Sequence, residues 1–288
     1  MNPGRRGGWK GQADPYGSCE FVDTPLEEFE KFCKVDLGLA KKTVWRCRYE
    51  MDKLVEWLDG RAVSVDVLRN YLEPLHNEAR NNALRSFRHY FRDYLGKPEL
   101  IMSFKFIKTL PKLVLNLPSQ GDLRVAYEAF ETVRDKTMFL LYASSGLRRQ
   151  ELLDLTFDAI DFEKRMLVPG HSSRTKTSYI SFYNEEAEKV FKQYVETLPS
   201  KKQKPFPLTW NAYFKAERKV RKETGVDVSP QTLRQWFCNE MGRLSVPDRF
   251  IDAFCGRVPR SILARHYTDY SPERLKRIYD KANLKVLA

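Results

Sequence analysis

The 288-residue chain has few of the residues that build disulfide frameworks and metal centres. Its five cysteines (Cys19, Cys33, Cys47, Cys238 and Cys255) are odd in number and form no Cys-x-x-Cys pair, and its four histidines are equally dispersed. We therefore expect no disulfide framework and no metal site, and the unpaired thiols favour a reducing, intracellular setting.

Long apolar segments are also missing. No run approaches the roughly 20 apolar residues of a membrane-spanning helix, and the glycine-rich, basic N-terminus lacks the apolar core of a signal peptide. These absences predict a cytoplasmic protein without a membrane partner. The glycine-rich, basic composition of the N-terminus predicts that residues 1–22 form a flexible basic arm.

Basic residues are in excess. Lys and Arg number 50 against 38 Asp and Glu, which gives a net charge of +12 and an isoelectric point near 9.4. Such a balance suits a polyanionic partner, although charge alone is equally compatible with a basic protein that has none. At 42% hydrophobic residues the chain can form substantial cores, and its length fits two domains.

Residues 23–96 show the periodicity of an all-helical domain. In the clearest helix, Val44, Cys47, Met51 and Leu54 recur at helical spacing before Asp59-Gly60 ends it. Further helices are predicted to begin near Asp23 and to span residues 64–75 and 77–95. Four helices in this length predict a compact helical domain.

The last of these helices carries a row of arginines beside its apolar stripe. Arg85, Arg88 and Arg92 share one face, and arginines at this spacing can follow successive phosphates of a DNA backbone. A solvated charged face is the alternative. Residues 97–121, which contain Lys105 and Lys108 among prolines, are predicted to form a basic linker.

Residues 122–288 predict a second domain that is mainly helical with one small sheet, so the fold class is mainly α (α+β). Apolar or alternating stretches at 157–161, 166–168 and 178–182 predict a three-stranded antiparallel sheet. Helices are predicted on both sides of it, from about residue 123 and at 136–144, 148–155, 184–198, 210–224, 230–244, 247–255, 259–266 and 272–282.

Three local patterns in this domain carry arginines at positions suited to an anion. Arg148 follows the Ser145-Gly146-Leu147 turn and opens a helix, and Arg234 falls in the first turns of a helix that begins at Pro230. A cation at a helix N-terminus opposes the helix dipole, but it lies among backbone N–H groups that bind anions. The third pattern runs from Cys255-Gly256-Arg257 to Tyr267.

Together these patterns resemble the tyrosine recombinase family, the integrases and site-specific recombinases of phages, plasmids and archaeal mobile elements. The resemblance is to the family's GLRxxEL, HxLR and GH…Y boxes, in that order and at about the family's spacing. It covers residues from about 120 to 282, and 23–96 only as the helical DNA-clamping domain that commonly precedes the catalytic one. The stretch from Leu263 to Glu273 is most similar to the archaeal branch.

The resemblance implies a site-specific recombinase that cleaves and rejoins DNA through a 3′-phosphotyrosine, with no cofactor. Tyr267 is then the nucleophile, Arg148 and Arg234 hold the scissile phosphate, and Glu151 supports Arg148. The family's general acid is a lysine on a hairpin, for which Lys176 is the choice and Arg174 the alternative; Arg174 is otherwise expected to contact DNA. The family also implies a homotetramer on two synapsed duplexes.

Two positions depart from the family's boxes. Gln231 stands where a histidine is usual, and it can hydrogen-bond a phosphate oxygen but cannot act as an acid or base at neutral pH. Arg257 replaces a histidine or tryptophan and can add a third fork to the phosphate. These departures leave open which group removes the tyrosine proton.

Other tyrosines and other functions compete with this interpretation. Tyr279 falls at core spacing with Leu275 and Ile278, and Tyr270 lies in the loop before Ser271, too far from Gly256 for the family's box. The alternative functions are a DNA-binding recombination factor that has lost catalysis and a type IB topoisomerase-like enzyme.

Overall fold

The computed structural model describes residues 26–108, 116–170, 172–173, 176–177, 179–199, 204–207, 210–257 and 267–287. The predicted arm at 1–22, Arg174 and the helix expected at 259–266 lie outside the described residues. The chain divides into two compact units between Lys112 and Leu113. Within the described ranges, no helix is long and apolar enough to cross a membrane.

The first unit is helical. Its helices are α1 (Leu26–Val35), α2 (Lys41–Leu58), α3 (Val65–Leu72) and α4 (Asn77–Phe87), followed by a π-helix (Arg88–Tyr94) and a 3-10 turn (Pro98–Leu100). Helix α2 packs against α1 and α4. Its Cys47, Met51 and Leu54 are buried, as the periodicity predicted, and Asp59 ends it in the left-handed conformation.

The helix expected over 77–95 changes character midway. Helix α4 ends at Phe87, and the next seven residues form a π-helix, closed by a hydrogen bond from Leu95 N to Tyr90 O. The adjacent residues Tyr90 and Phe91 are both buried. The apolar stripe of an α-helix recurs every three or four residues and would not bury two adjacent aromatic side chains, whereas the π-helix does so here. The arginine row therefore does not follow a single α-helical face.

The first unit also extends beyond residue 96, where the linker was expected to begin. Leu100, Ile101 and Phe104 are buried in the core of this unit. The lysines and prolines around them are typical of a linker. Burial of these three apolar side chains is favourable in free energy, and it keeps this stretch in the core of the first unit. At the other end, Ser119 caps α5 inside the range assigned to the linker.

The second unit is mainly helical with small antiparallel sheets, which confirms the predicted fold class. Its helices are α5 (Gln120–Ala129), α6 (Val133–Ser145), α7 (Arg149–Leu153), α8 (Glu185–Glu196), α9 (Trp210–Thr224), α10 (Pro230–Arg243), α11 (Asp248–Phe254) and α12 (Pro272–Ala282). Strands β1 (Ile160–Asp161), β2 (Met166–Leu167) and β5 (Ser181–Phe182) form the predicted three-stranded sheet in the order β1-β2-β5. All three are shorter than expected, and β1 begins only at Ile160 because a 3-10 turn occupies Phe157–Ala159.

A second ladder pairs β3 (Ser172–Ser173) with β4 (Lys176–Thr177). Ser173 lies opposite Lys176. The sequence predicted a hairpin here, and the described backbone places Lys176 on its second strand.

Helix α6 is the central helix of the second unit. The nine consecutive residues from Thr137 to Ser145 have aliphatic, aromatic or small side chains, and all nine are buried. The helix packs against α8 and α10. A helix that is buried on all sides holds its C-terminal end in one position. That end is Gly146, in the left-handed conformation with φ of +64°.

The C-terminal residues complete this core. Leu284 and Val286 are buried. The carboxylate of Glu186 accepts hydrogen bonds from the backbone N–H groups of Val286 (2.6 Å) and Leu287 (3.1 Å). The last described residues are thus part of the second unit's own core.

Candidate active site

Arg148 is positioned by the turn at the end of α6. It is the N-cap residue of the short helix α7, in extended conformation. The carboxylate of Glu151 accepts from Arg148 twice, from the backbone N at 2.7 Å and from Nη1 at 2.6 Å. Because Glu151 is buried, this double contact fixes the direction of the arginine side chain.

Arg234 enters the same region from α10. Ser229 caps this helix, Pro230 occupies its first turn, and the Arg234 side chain is buried. Its Nη1 donates to the carbonyl oxygen of Gly146 at 2.5 Å, and its Nη2 donates to that of Cys255 at 2.6 Å. The guanidinium therefore joins the turn after α6 to the end of α11.

Both arginines meet the segment that follows α11. Arg148 Nη2 donates to the carbonyl oxygen of Gly256 at 3.3 Å, next to the Cys255 carbonyl that Arg234 binds. Burial lowers the pKa of Arg234, Cys255 acts in the opposite direction, and Arg148 lowers it further. Two guanidinium groups held this close form a local concentration of positive charge suited to a phosphate.

Arg257 lies on the outer side of the same segment. Its side chain is 48% exposed and donates from Nη1 to Asp252 Oδ1 at 3.1 Å. Its Nη2 lies 3.7 Å from the Sγ of Cys238, which follows Arg234 by one helical turn on α10. The three arginines predicted from separate motifs are thus connected through residues 252–257 and α10.

The remaining predicted catalytic residues have individual placements. Gln231 is exposed near the N-terminus of α10. Tyr267 is described and its side chain is 78% exposed, whereas 258–266 lie outside the described residues. Of Lys176 the backbone alone is described, so the choice between Lys176 and Arg174 stays a prediction.

The two competing tyrosines differ in environment. Tyr279 is buried, and its hydroxyl donates to the carbonyl oxygen of Ser144 at 2.7 Å, which confirms the prediction of a core residue; burial raises its pKa. Tyr270 is half-buried and packs edge-on against Phe250 with ring centroids 6.0 Å apart. The next residue, Ser271, occupies the N-cap position of α12 without a side-chain cap hydrogen bond.

The sequence did not predict a contact between two cysteines that lies beside Arg234. The sulfur atoms of Cys238 and Cys255 lie 3.3 Å apart. Cys238 stands four residues after Arg234, on the same face of α10, and this spacing was the available signal.

The predicted DNA-binding arginines of the first unit are not equivalent. Arg88 donates from Nη2 to the Phe104 carbonyl oxygen at 2.7 Å, and its guanidinium lies 4.4 Å from the ring centroid of Phe106. Arg85 is exposed and lies 5.5 Å from the same ring, which is 40% exposed. Arg92 instead donates to both carboxylate oxygens of Asp93, at 2.6 and 3.0 Å.

Lys105 and Lys108 are both exposed. The carbonyl oxygen of Lys105 accepts from Arg80 Nη1 at 3.0 Å, which ties this stretch to α4. In the part of the second and first units that the structure describes, no group of three or more His, Cys, Asp or Glu is arranged to hold a metal ion.

Comparison with known proteins places these residues in one family. Residues 122–274 match the model of the phage integrase family, and this range includes Arg148, Arg234 and Tyr267. Tyrosine recombinase XerA of Pyrococcus horikoshii is 25% identical over 277 residues, covering 90% of this chain and 93% of that protein. Tyrosine recombinase XerA of Thermococcus onnurineus is 25% identical over 282 residues, covering 92% and 97%.

Solved structures share the fold. A lambda integrase dimer bound to a COC′ core site aligns with a TM-score of 0.64 at 15% identity, over 85% of this chain and 76% of that chain. The Tn1549 transposon integrase in complex with transposon right-end DNA aligns with a TM-score of 0.58 at 16% identity, over 87% and 96%.

These matches confirm the resemblance and its archaeal branch, and they do not favour a topoisomerase or a factor without catalysis. The matched region contains the two motifs that carry Arg148 and Arg234, and it contains Tyr267, which follows them. The chain belongs to the phage integrase family and is a site-specific tyrosine recombinase, an enzyme that cuts and rejoins DNA strands.

Proposed function

We propose that Tyr267 is the nucleophile of this recombinase and that Arg148, Arg234 and Arg257 hold the scissile phosphate. The observation that carries the proposal is the convergence of Arg148 and Arg234 on the carbonyl oxygens of Gly256 and Cys255. That segment lies a short stretch of chain before the exposed Tyr267.

In the proposed reaction, the Tyr267 hydroxyl attacks phosphorus and the bond from phosphorus to the 5′ oxygen breaks. The products are a 3′-phosphotyrosine and a free 5′-OH, and the 5′-OH of the partner strand reverses the step. Charge builds on the non-bridging oxygens during phosphoryl transfer, so fixed guanidinium groups lower the barrier. The covalent link keeps the bond energy, and no metal or other cofactor is required.

Glu151 acts through Arg148 as a positioning residue. Its carboxylate contacts Arg148 at both the backbone and the guanidinium, and the remaining N–H groups of Arg148 can then meet a phosphate oxygen in one orientation. Gln231, exposed near the start of α10, contributes a hydrogen bond to a phosphate oxygen.

Lys176 protonates the leaving 5′ oxygen in this proposal, with Arg174 as the alternative on the same hairpin. A lysine suits the role because it can release a proton, whereas an arginine remains charged under all ordinary conditions.

The first unit, which extends beyond residue 96 to include Phe104, is proposed to clamp DNA, and residues 122–288 are proposed to form the catalytic domain. Arg85, Arg88, Lys105 and Lys108 contact phosphates, together with Arg92 and, on the hairpin, Arg174. The double-stranded attachment site is bound inside the cell. A homotetramer on two synapsed duplexes carries out the exchange, as the lambda integrase tetramer bound to a Holliday junction suggests.

The test is a covalent trap. A binding site is selected from a random duplex library, then built as a nicked suicide substrate and incubated with the protein in EDTA. We expect a protein–DNA adduct that survives denaturant with the wild type and with Tyr270→Phe, and none with Tyr267→Phe.

Each other result has a defined meaning. An adduct with Tyr267→Phe, lost instead in Tyr270→Phe, assigns the nucleophile to Tyr270. No adduct with the wild type on its selected site contradicts catalysis. Plasmid relaxation without strand exchange indicates a topoisomerase activity. Lys176→Ala and Arg174→Ala are each tested with a 5′-phosphorothiolate substrate, whose leaving group needs no proton. The variant whose cleavage this substrate restores lacks the general acid.

A further inference from the structure

A pair of thiols adjoins Arg148, Arg234 and Arg257, the three arginines proposed to hold the scissile phosphate and here called the phosphate clamp. Cys238 Sγ and Cys255 Sγ are in contact at 3.3 Å, although 17 residues separate them. The same two residues contact the clamp, because the carbonyl oxygen of Cys255 accepts from Arg234 and the sulfur of Cys238 faces Arg257 Nη2. A covalent bond between sulfur atoms is about 2.05 Å long, so they need to approach by little more than 1 Å.

The two thiols differ in access and in acidity. Cys238 is partly exposed, whereas Cys255 is buried. The hydrogen bond from Cys255 lowers the pKa of the Cys238 thiol to about 6; burial opposes this, and Arg257 and Arg234 reinforce it. Cys255 shows the opposite shift, because its neighbour and its burial raise its pKa. An accessible thiolate beside a buried thiol is the arrangement of an attacking and a resolving cysteine.

We propose that Cys238 and Cys255 form an oxidisable pair whose disulfide disarms the phosphate clamp. The oxidant is a peroxide, for which hydrogen peroxide is the probe. The inference rests on the proposed function of Arg148 and Arg234, but the formation of the bond can be measured without any activity.

The chemistry balances in two steps. The Cys238 thiolate attacks one oxygen of hydrogen peroxide, which breaks the O–O bond, gives a sulfenic acid and releases hydroxide. The Cys255 thiol then attacks the sulfenic sulfur, the S–O bond breaks, and the thiol proton leaves with the oxygen as water. The hydroxide takes up the proton that the Cys238 thiol released, so two thiols and one peroxide give one disulfide and two waters. Sulfur is oxidised by two electrons and peroxide is reduced by two.

The disulfide acts on the clamp through the backbone. Cys255 and Gly256 supply the carbonyl oxygens that Arg234 and Arg148 bind, so a shift of the Cys255 side chain toward α10 moves both acceptors. Oxidation also removes the thiolate that faces Arg257 and Arg234. Displacement of a catalytic group by about 1 Å can cost on the order of 100-fold in rate. We therefore expect the oxidised protein to bind DNA but cleave it at least about tenfold more slowly.

The experiment measures the bond and the reaction separately. The full-length protein is treated with hydrogen peroxide or with dithiothreitol, and peptide mass spectrometry locates any Cys238–Cys255 crosslink by its loss of two hydrogens. Adduct formation on the suicide substrate is then timed in both states. Each variant is compared with itself, as the ratio of the oxidised to the reduced rate.

We expect the crosslink in the wild type, a rate ratio of about one tenth or less, and recovery with dithiothreitol. Cys238→Ala and Cys255→Ala are each expected to bring the ratio close to one. Cys33→Ala is the matched control, because it removes a buried thiol next to Cys47 in the first unit and leaves the clamp pair intact. It should respond to peroxide as the wild type does.

Absence of the crosslink overturns the proposal, and so does a crosslinked protein that cleaves at the reduced rate. Sensitivity that persists in Cys238→Ala also overturns it. A reduced wild type that forms no adduct contradicts the proposed function of Tyr267 instead, and the mass spectrum still reports on the thiol pair.

Discussion

The guanidinium of Arg234 and the carbonyl oxygen of Gly146 are 2.5 Å apart, although 88 residues separate them along the chain. The carbonyl is available because Gly146 ends α6 in the left-handed conformation, and the last carbonyls of a helix have no partner within it. A buried cation thus satisfies a helix end and is held in place by it.

Gly146→Ala should destabilise the second unit strongly. A Cβ at this position would overlap the ring of the buried Phe237, and φ of +64° is strained for any residue with a side chain. We expect about 1–2 kcal/mol from the backbone strain and about 1–3 kcal/mol from the overpacking. Urea denaturation measures the sum.

Gly225→Ala is the matched control for that variant. Its φ of +76° carries the same backbone strain, but no atom of the described residues lies within 4 Å of the added Cβ. We expect the backbone cost of about 1–2 kcal/mol alone, with adduct formation unchanged. Equal losses in the two variants would show that contact with Phe237 has no effect on stability.

Arg234→Lys should separate the effect of the positive charge from the effect of the two paired donors of the guanidinium. A lysine keeps the positive charge, but its single ammonium cannot reproduce the planar pair of donors that joins Gly146 and Cys255. We expect adduct formation to slow by about 10²–10³-fold, with DNA binding within a few fold of the wild type. Single-turnover cleavage on the suicide substrate and a parallel binding titration measure the two effects.

Arg257→Lys provides the comparison, because Arg257 is half exposed and contacts a side chain rather than two backbone carbonyls. Its loss in rate should be smaller than that of Arg234→Lys. A rate for Arg234→Lys within threefold of the wild type would be incompatible with the clamp role.

Glu217 should make stability fall as the pH rises. The side chain is buried on α9, and its Oε2 has no hydrogen-bond partner among the described residues. Burial, and then the charge of Asp227, raise the pKa of Glu217 to about 7 from an ordinary value of 4.5. Between those values the unfolded chain loses the proton while the folded chain keeps it, so stability is greatest below pH 4.5 and is lost up to about pH 7.

Glu217→Gln cannot ionise and should remove this loss. We expect the variant to be more stable than the wild type at pH 8, by at most about 3 kcal/mol, with the difference vanishing near pH 4.5. Thermal unfolding across this range measures it. Glu223→Gln, on the exposed face of the same helix, should show no such trend. A constant difference between wild type and Glu217→Gln at all pH values would contradict the assignment.

The arginines of the first unit should divide by their contacts. Arg85→Ala is expected to lower the slope of log affinity against log salt by about 1 without changing the unfolding temperature. Arg88→Ala should lower the slope and also the stability, because the Phe104 carbonyl loses its donor. Arg92→Ala should change the slope least, since Asp93 already neutralises that guanidinium. Equal slopes for wild type and Arg85→Ala would assign that side chain to the solvent.

Much of the catalytic unit follows from local sequence. The bounds of α9 and α12 agree with those predicted, because capping residues, prolines and apolar spacing act within a few residues of one another. The break from α4 to a π-helix was not predicted, because it depends on two adjacent aromatic side chains that both reach the core. The burial of Leu100 and Phe104 likewise depends on helices that precede them in the chain.

The site divides in the same way. The sequence by itself determined which arginines occupy helix starts and which tyrosine follows them, because those features are local motifs. Only the tertiary structure decided that Arg148 and Arg234 bind neighbouring carbonyls, and that Cys238 touches Cys255. Contacts between residues far apart in the chain are set by the packing of α6, α10 and α11, which is a property of the whole core and of no single segment.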